Sequence, residues 1–250
     1  LTDLTSVAFS EAGDYTFVAS TEDIGGREYE SNEVVVHVIE NLSVSVSSDV
    51  EKTHEDKTAD ITLTVENGMA KQVDWTLTVD GVAVPDFTMP EQGGPLDLSA
   101  YGSGLYELTA TVTDELGKTF SDTVAIQVYP VIDLTIDCPA NVHIDRTAEV
   151  TLTGNDLEGK TVVWNVISET GTTVEHTLTN VGGTLSFTEP GAHIIGAYVT
   201  DELGRRFEAQ SKTILVWNTI QLSFRLPEFA HTDETAIVKM TSENLRDNQI

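Results

Sequence analysis

The sequence predicts an all-β fold made of tandem β-sandwich modules, on three observations. Motifs recur along the chain at a spacing close to 89 residues. Within one repeat, apolar and polar residues alternate with a period of two, which is the pattern of a strand with one buried face. Glycine-containing turn signals separate the alternating segments, and no segment has the spacing of an amphipathic helix. Short strands packed in two layers satisfy all three observations.

The repeat is clearest at a hairpin motif. The segment Val-Thr-Asp-Glu-Leu-Gly at 112–117 recurs unchanged at 199–204, which is 87 residues later. A basic residue follows each copy, and an aromatic residue stands two positions after the basic one. A weaker third copy occupies 21–29. Recurrence at such a spacing is the signature of an array of structural modules.

Other anchors follow the same period and divide the chain. Trp75 and Trp164, for example, are 89 residues apart. The spacings predict the C-terminal part of one module, two complete modules and the N-terminal part of a further module, at 1–40, 41–129, 130–217 and 218–250. The junctions lack spacers rich in Gly, Ser or Pro. We therefore expect neighbouring modules of the chain to contact each other directly, as partners, and to form an extended rod.

About seven short strands are predicted in each module. Four alternating segments stand out in the first complete module, at 42–46, 61–65, 75–79 and 108–112. Trp75 and Trp164 fall in the third strand, where we expect them to fill the core. Tyr15 and Tyr106 begin the sixth strand, where a phenol reaches back to the backbone, whereas His193 lacks that phenol. This is the layout of an immunoglobulin-like sandwich.

One stretch carries a family resemblance. Residues 104–128 begin with Gly-Leu-Tyr, turn at Asp-Glu-Leu-Gly and end in an apolar strand. The stretch resembles the C-terminal half of polycystic-kidney-disease-type and related bacterial immunoglobulin-like repeats, over about 25 residues in each of three copies. The shared motif is a structural hairpin. The resemblance implies extracellular stalk or adhesin modules of bacterial surface proteins, and it implies no chemistry.

The charge of the chain excludes some partners. The 41 acidic and 13 basic residues give a formal net charge of −28. A field of this sign repels nucleic acid and anionic lipid surfaces, so neither is an expected partner. Three interpretations of the charge stay open: a solvated exterior, calcium sites between modules, and adaptation to high salt.

Localisation is predicted indirectly. No stretch reaches the roughly 18 apolar residues of a transmembrane helix, so no membrane insertion is expected in this segment. The chain starts at Leu1 without a basic and then apolar leader. We expect a fragment of an extracellular, cell-surface or secreted protein, with its export signal outside these residues. Cys138 is the single cysteine, so no disulfide forms within the chain.

Calcium is the first candidate cofactor. Its candidate ligands are carboxylates in the recurring turns, namely Asp23, Asp114, Glu115, Asp201 and Glu202. Calcium takes six to eight oxygen ligands, and clustered carboxylates supply several of them. The alternative interpretation is that Asp-Glu-Leu-Gly forms an ordinary hairpin tip, with no ion.

A second metal hypothesis concerns His-x-Asp pairs. Three pairs occupy one position of the repeat: His54 and Asp56, His143 and Asp145, His231 and Asp233. Each pair offers two ligands for zinc or a similar ion, which is fewer than a site needs. The competing interpretation is a turn in which the aspartate caps backbone amides ahead of the next strand.

Catalytic motifs are absent from the sequence, so no enzyme is predicted. There is no nucleophile elbow, His-Glu-x-x-His motif or phosphate-binding glycine loop. The expected function is a structural or adhesive stalk whose partner is a cell-surface glycan or protein. Two alternatives are an accessory spacer or carbohydrate-targeting region of a secreted enzyme, and a subunit of a surface layer or filament. Trp217 and Tyr129 either bind sugar or seal one module against the next.

Overall fold

Strands and tight turns make up the computed structural model, which describes residues 6–244. Its regular structure apart from strands is one 3₁₀ turn at Leu98–Ala100. The chain divides into two compact units, Leu1–Val131 and Ile132–Ile250. Residues 1–5 and 245–250 of the predicted outer segments lie outside the described residues. Between residues 6 and 244 there is no helix with the length and hydropathy needed to cross a membrane.

The first unit holds twelve of the described strands. They are β1 Gly13–Phe17, β2 Ser20–Glu22, β3 Glu28–Glu30, β4 Val34–Val38, β5 Ser43–Ser48, β6 Lys52–His54, β7 Thr58–Glu66, β8 Gln72–Val79, β9 Val82–Ala83, β10 Gly93–Asp97, β11 Gly104–Thr113 and β12 Thr119–Tyr129. Strands β5 to β12 form two sheets, of order β10-β7-β5 and β6-β12-β11-β8-β9. Neighbours are antiparallel except β6 and β12, which pair in parallel.

Side chains from both of these sheets meet in one buried cluster. The three-stranded sheet supplies Val46 and Ile61, and the five-stranded sheet supplies Leu77, Leu108 and Ile126. Alternation along each strand sends every second residue inward, as the sequence predicts. Burial of this apolar area is the main stabilising term of the sandwich.

The second unit repeats the arrangement. Its described strands are β13 Leu134–Asp137, β14 Asn141–His143, β15 Thr147–Gly154, β16 Val163–Ser168, β17 Gly182–Ser186, β18 Gly191–Thr200, β19 Arg206–Glu208, β20 Lys212–Trp217, β21 Gln221–Arg225 and β22 Lys239–Glu243. The sheets are β13-β15-β17 and β14-β20-β18-β16, with β19 also paired to β18. Strand β14 pairs with β20 in parallel. Both units therefore contain an immunoglobulin-like β-sandwich, and the predicted all-β fold class is confirmed.

The last strand of the second sandwich is interrupted by a β-bulge. Val199 pairs with Phe207 and Ile195 pairs with Lys212, so four steps along β18 match five along the partner strand. The extra residue lies in 209–211, between β19 and β20. In the first sandwich the register of β11 and β12 is unbroken. A bulge of this kind bends the strand and redirects side chains next to it.

The outer segments lack a core of their own. Residues 6–41 contain no buried side chain, and all of residues 218–244 are exposed. Their strands pair only as β1-β4, β2-β3 and β21-β22 within the described residues. Large apolar side chains such as Val34, Phe224 and Phe229 are therefore open to solvent. The predicted module boundaries, the period near 89 residues and the rod arrangement stay predictions.

Candidate functional site

The predicted carboxylate clusters lie at hairpin tips, and the best example joins β11 to β12. The Asp114 side chain accepts backbone hydrogen bonds through Oδ1, from the N–H of Leu116 at 2.9 Å and of Lys118 at 2.8 Å. The Asp114 N–H donates to the Lys118 carbonyl at 2.9 Å, and the Gly117 N–H donates to the Asp114 carbonyl at 3.1 Å. One aspartate thus satisfies the donors that a tight turn leaves unpaired.

The same bonds form at two other tips. At Asp201, Oδ1 accepts from the N–H of Leu203 at 3.0 Å and of Arg205 at 2.8 Å. At Asp23, Oδ1 accepts from the N–H of Gly25 at 2.8 Å and of Arg27 at 3.1 Å. The recurring sequence motif therefore encodes one hairpin geometry three times.

A cation–π contact explains the basic and aromatic residues after each tip. The Lys118 ammonium lies 5.2 Å from the ring centroid of Phe120, and Arg205 lies 4.7 Å from that of Phe207. In the weaker copy, the guanidinium of Arg27 lies 5.2 Å from the centroid of Tyr29. Such contacts stabilise exposed pairs by about 0.5–1 kcal/mol each.

Hydrogen bonding also favours the ionised form of one tip aspartate. The backbone N–H groups of Arg27 and then Gly25 hold the pKa of Asp23 below its ordinary value, because they stabilise the ionised carboxylate. An ionised aspartate is the stronger acceptor in a capping role. It is also the form that would bind a cation.

The glutamates of the motif differ in their contacts. Glu115 is exposed, whereas Glu202 pairs with Lys160 at 3.2 Å. Lys160 is buried and pairs with Asp156 at 2.8 Å as well. Burial lowers the pKa of this ammonium, but its hydrogen bonds to the two carboxylates outweigh burial, so the pKa of Lys160 is raised overall.

Metal ligands do not converge in the part of the chain that the structure describes. Residues 6–244 include no group of three or more His, Cys, Asp or Glu side chains placed to hold an ion. The Oδ1 atoms of Asp23, Asp114 and Asp201 already accept two backbone hydrogen bonds each. The calcium hypothesis stays a prediction, and the geometry favours the hairpin-tip interpretation.

The His-x-Asp pairs lie in tight turns. The His54 carbonyl accepts from the Lys57 N–H at 3.1 Å, and the His143 carbonyl accepts from the Arg146 N–H at 2.9 Å. His231 accepts in the same way from Glu234, at 3.1 Å. His54 is buried while His143 and His231 are exposed, so the three imidazoles have different surroundings. These backbone bonds place the motif in turns, and both the aspartate cap and the zinc hypothesis stay predictions.

Tryptophan and tyrosine have the structural roles that the sequence predicts. Trp75 and Trp164 are buried, and their indole N–H groups donate to the carbonyls of Pro90 at 3.0 Å and Thr179 at 2.8 Å. The Tyr106 hydroxyl contacts the carbonyls of Leu98 at 3.0 Å and Gly102 at 2.5 Å.

His193 occupies the position equivalent to Tyr106, but its side chain is shorter and lacks the phenolic hydroxyl. Its Nδ1 lies 3.2 Å from the carbonyl of Gly191, two residues away, while its ring contacts Phe187. The imidazole lines a cavity of about 270 Å³ together with hydroxyl side chains and two glutamates. His193 therefore packs against Phe187 at the position where Tyr106 makes its hydroxyl bonds.

Trp217 and Tyr129, the candidate sugar-binding or sealing residues, end equivalent strands. Tyr129 pairs with His54 across β6 and β12, and Trp217 pairs with His143 across β14 and β20. Both side chains are half-buried. The two aromatic residues therefore occupy equivalent positions in the two sandwiches, and both the sealing and the sugar-binding interpretations stay predictions.

A different surface, which sequence reasoning missed, lies on the outer face of strands β16 and β18. A groove of about 220 Å³ is lined there by Asn165, Ile194, Gly196, Tyr198 and Glu208, among others. Alternation around Ile194 and Ile195 is ambiguous, because both residues are apolar. The internal repeat aligns this stretch with polar residues of the first module, but only the cross-strand register brings the outward side chains of β16 and β18 together.

Comparisons with known proteins find distant similarity to solved β-sandwich structures. No protein-family model matches the chain, and no curated protein sequence matches it significantly. Among solved structures, the D00–D0 domain of intimin is 20% identical with a TM-score of 0.38, and the match covers 70% of this chain and 100% of that one. The insect immune protein hemolin is 14% identical with a TM-score of 0.45, covering 82% and 56%.

A third match is to fibronectin(III)-like modules of Clostridium thermocellum CbhA. It has 18% identity and a TM-score of 0.31, and it covers 70% of this chain and 95% of that one. With similarities this distant, the fold assignment rests on the strand pairings and buried clusters described above.

Proposed function

We propose that this chain is a non-enzymatic structural or adhesive segment of an extracellular bacterial surface protein. One observation carries the proposal: the aspartates of the repeated motif, which could in principle bind metal or catalyse, hold the turns of hairpins. The same capped hairpin recurs at Asp23, Asp114 and Asp201. A feature that returns in successive modules supports an architectural role over a catalytic one.

The strand topology supports a mechanical role. The short strand β6 pairs in parallel with β12, the last strand of its sandwich, and backbone bonds extend this pairing at both ends. Pulling the two strands from opposite ends of the module loads all of these bonds together, in shear. The pairing of β14 with β20 repeats the arrangement in the second unit.

Single-molecule force spectroscopy on residues 1–250 tests the proposal. Glu55→Pro removes the N–H that donates to the Tyr129 carbonyl at 2.9 Å, so we expect one of the two sandwiches to unfold at lower force. Glu55→Ala keeps that N–H and is the matched control for loss of the side chain. Equal unfolding forces for Glu55→Pro and Glu55→Ala would count against a mechanical role for the pairing of β6 with β12.

A further inference from the structure

The outer face of the second sandwich differs from that of the first in a way that the fold does not require. The two faces are aligned by their tryptophans, because Trp75 pairs with Ala110 and Trp164 pairs with Ala197. On either side of that inward pair lie outward-facing cross-strand pairs. In the first sandwich these are Thr78 with Glu107, Thr76 with Thr109, and Asp74 with Thr111.

At the equivalent positions the second sandwich has mainly apolar pairs. They are Ile167 with Ile194, Asn165 with Gly196, and Val163 with Tyr198. Ile194 is 49% exposed and Val163 is 41% exposed. The first sandwich shows that polar side chains serve the fold at these positions, and adjacent exposed apolar side chains are a feature of interaction sites.

Gly196 forms the floor of a groove in this face. Ile194 and Tyr198 flank it along β18, and Asn165 is its partner on β16. On the other side, Ser211 from the bulge at 209–211 completes the wall. The bulge and the missing side chain at Gly196 together open a space of about 220 Å³.

The groove is amphipathic and locally close to neutral. Arg206 stacks on the Tyr198 ring, with its guanidinium carbon 3.5 Å from the centroid, and its Nε lies 2.7 Å from Glu208 Oε1. The Arg206–Glu208 pair balances charge at the rim. Asn165, Glu208 and Ser211 offer hydrogen-bonding groups beside the apolar side chains.

A ligand for this groove must have an apolar face, a polar edge and no negative charge. The apolar face covers Ile194 and Gly196, beside the Tyr198 ring on which Arg206 stacks. The edge bonds Asn165 and Ser211. Anionic ligands are disfavoured by the net charge of −28. A pyranose ring has one face of C–H groups and an edge of hydroxyls, which is the amphipathic pattern that this groove offers.

We infer that the outer face of β16 and β18 binds a neutral saccharide, with one sugar ring seated over Gly196. This binding site goes beyond the structural role proposed above and does not depend on it. Tyr198 and Ile194 are the walls that exclude water from the ring, and Asn165 is the residue that orients it.

The test is a ¹⁵N NMR titration of residues 1–250 with four neutral trisaccharides, made of glucose, galactose, mannose or N-acetylglucosamine. At least one is expected to give saturable shifts at 163–167, 194–198 and 208–211. Gly196→Thr introduces the residue found at the equivalent Thr109, and an added Cβ meets only Asn165 O at 3.8 Å, so the variant should fold. It is expected to weaken binding at least tenfold.

Thr109→Val, in the first sandwich, is the matched control and should leave binding unchanged. Tyr198→Thr serves as a second groove variant if Gly196→Thr does not fold. Absence of shifts with all four sugars at about 10 mM overturns the proposal, as do shifts that Gly196→Thr leaves intact. Sugar-independent, concentration-dependent broadening at these residues that Ile194→Glu removes would overturn it in favour of a protein interface.

Discussion

Tyr106 links two turns of the first sandwich through a single buried oxygen. Its side chain is fully buried, and its hydroxyl contacts the carbonyls of Leu98 and Gly102. A phenolic oxygen has one proton, so it donates to one carbonyl at a time while both stay close. The residue therefore holds the 3₁₀ turn at Leu98–Ala100 and the start of β11 together.

Replacing Tyr106 by phenylalanine should lower the free energy of unfolding by about 1–3 kcal/mol. The loss arises because the carbonyls of Leu98 and Gly102 lose the phenolic donor, and Leu98 keeps only the Tyr101 N–H at 3.3 Å, while the ring still fills its space. Urea denaturation of the first unit measures the change. Tyr101→Phe is the control, since Tyr101 is 38% exposed and contacts the Tyr106 ring at 6.5 Å, and it should cost far less. Equal losses in the two variants would contradict the corner role.

The same residue predicts how stability depends on alkaline pH. Burial, followed by the nearby Glu55 carboxylate, raises the pKa of Tyr106 from 10.0 to about 12. Below pH 10 the phenol is protonated in both the folded and unfolded chains, so its contribution to stability is complete. Between pH 10 and pH 12 the unfolded chain releases the proton first, and stability falls by up to about 3 kcal/mol.

Two measurements check this sign. Absorbance titration of the folded protein near 295 nm should show one of the six tyrosines ionising after the others. Urea unfolding between pH 9 and pH 11.5 should show a steeper loss of stability for the natural chain than for Tyr106→Phe. Parallel pH profiles would mean that Tyr106 ionises normally.

At the scale of elements, the three hairpin tips predict the response to calcium. Asp23, Asp114 and Asp201 each direct one carboxylate oxygen to two backbone N–H groups, and no third acidic group joins them within residues 6–244. We therefore expect calorimetric unfolding in excess calcium and in chelator to agree within about one degree. Binding to the native state would raise the transition by several degrees instead, and such a rise would restore the calcium-site hypothesis.

The bulge in the last strand of the second sandwich predicts a tolerated deletion. Phe207 and Ala209 point inward at odd positions, whereas Ile214 and Val216 point inward at even ones. Deleting Gln210 should restore the alternation and join β19 to β20, as in the unbroken β12. We expect the variant to fold with stability within about 1 kcal/mol of the natural chain.

Hydrogen exchange on the Gln210 deletion provides the measurement. Amides of the joined strand should gain protection, because they enter a continuous ladder with β18. Deletion of Gln127, in the regular strand β12, is the control and should be strongly destabilising, since it reverses the faces of the residues beyond it. Equal destabilisation by the two deletions would contradict the interpretation that one extra residue causes the bulge.

The hairpins could be predicted from sequence, while the groove could not, and the reason is the range of the interactions involved. Gly117 and Lys118 each bond to Asp114, within four residues of it, so their spacing alone indicates the turn. The parallel pairing of β6 with β12 joins residues far apart, as in Thr53 with Val128. Short strands of this kind leave no periodic pattern. The groove depends on which of Ile194 and Ile195 faces outward, and only the register settles that.

At the scale of the whole chain, burial is concentrated in the two sandwiches. Leu42 is the first buried residue, and Val216 is the last, within the described part of the chain. The strands before and after them expose apolar side chains such as Val34 and Phe224. Two-stranded sheets of this length are marginally stable by themselves, because they bury too little apolar surface to offset their chain entropy.

This distribution predicts that backbone amides of the outer segments exchange with solvent while the sandwiches stay folded. It also predicts that the outer segments associate between copies of the chain. In dilute solution of residues 1–250, amides in 6–41 and 218–244 should exchange faster than those in β11 and β18, since local opening there costs little free energy. At higher concentration the exposed apolar faces and strand edges favour association. Hydrogen exchange and sedimentation velocity across a concentration series measure the two effects. A monomer at every concentration with outer amides as protected as those of β11 would contradict the prediction.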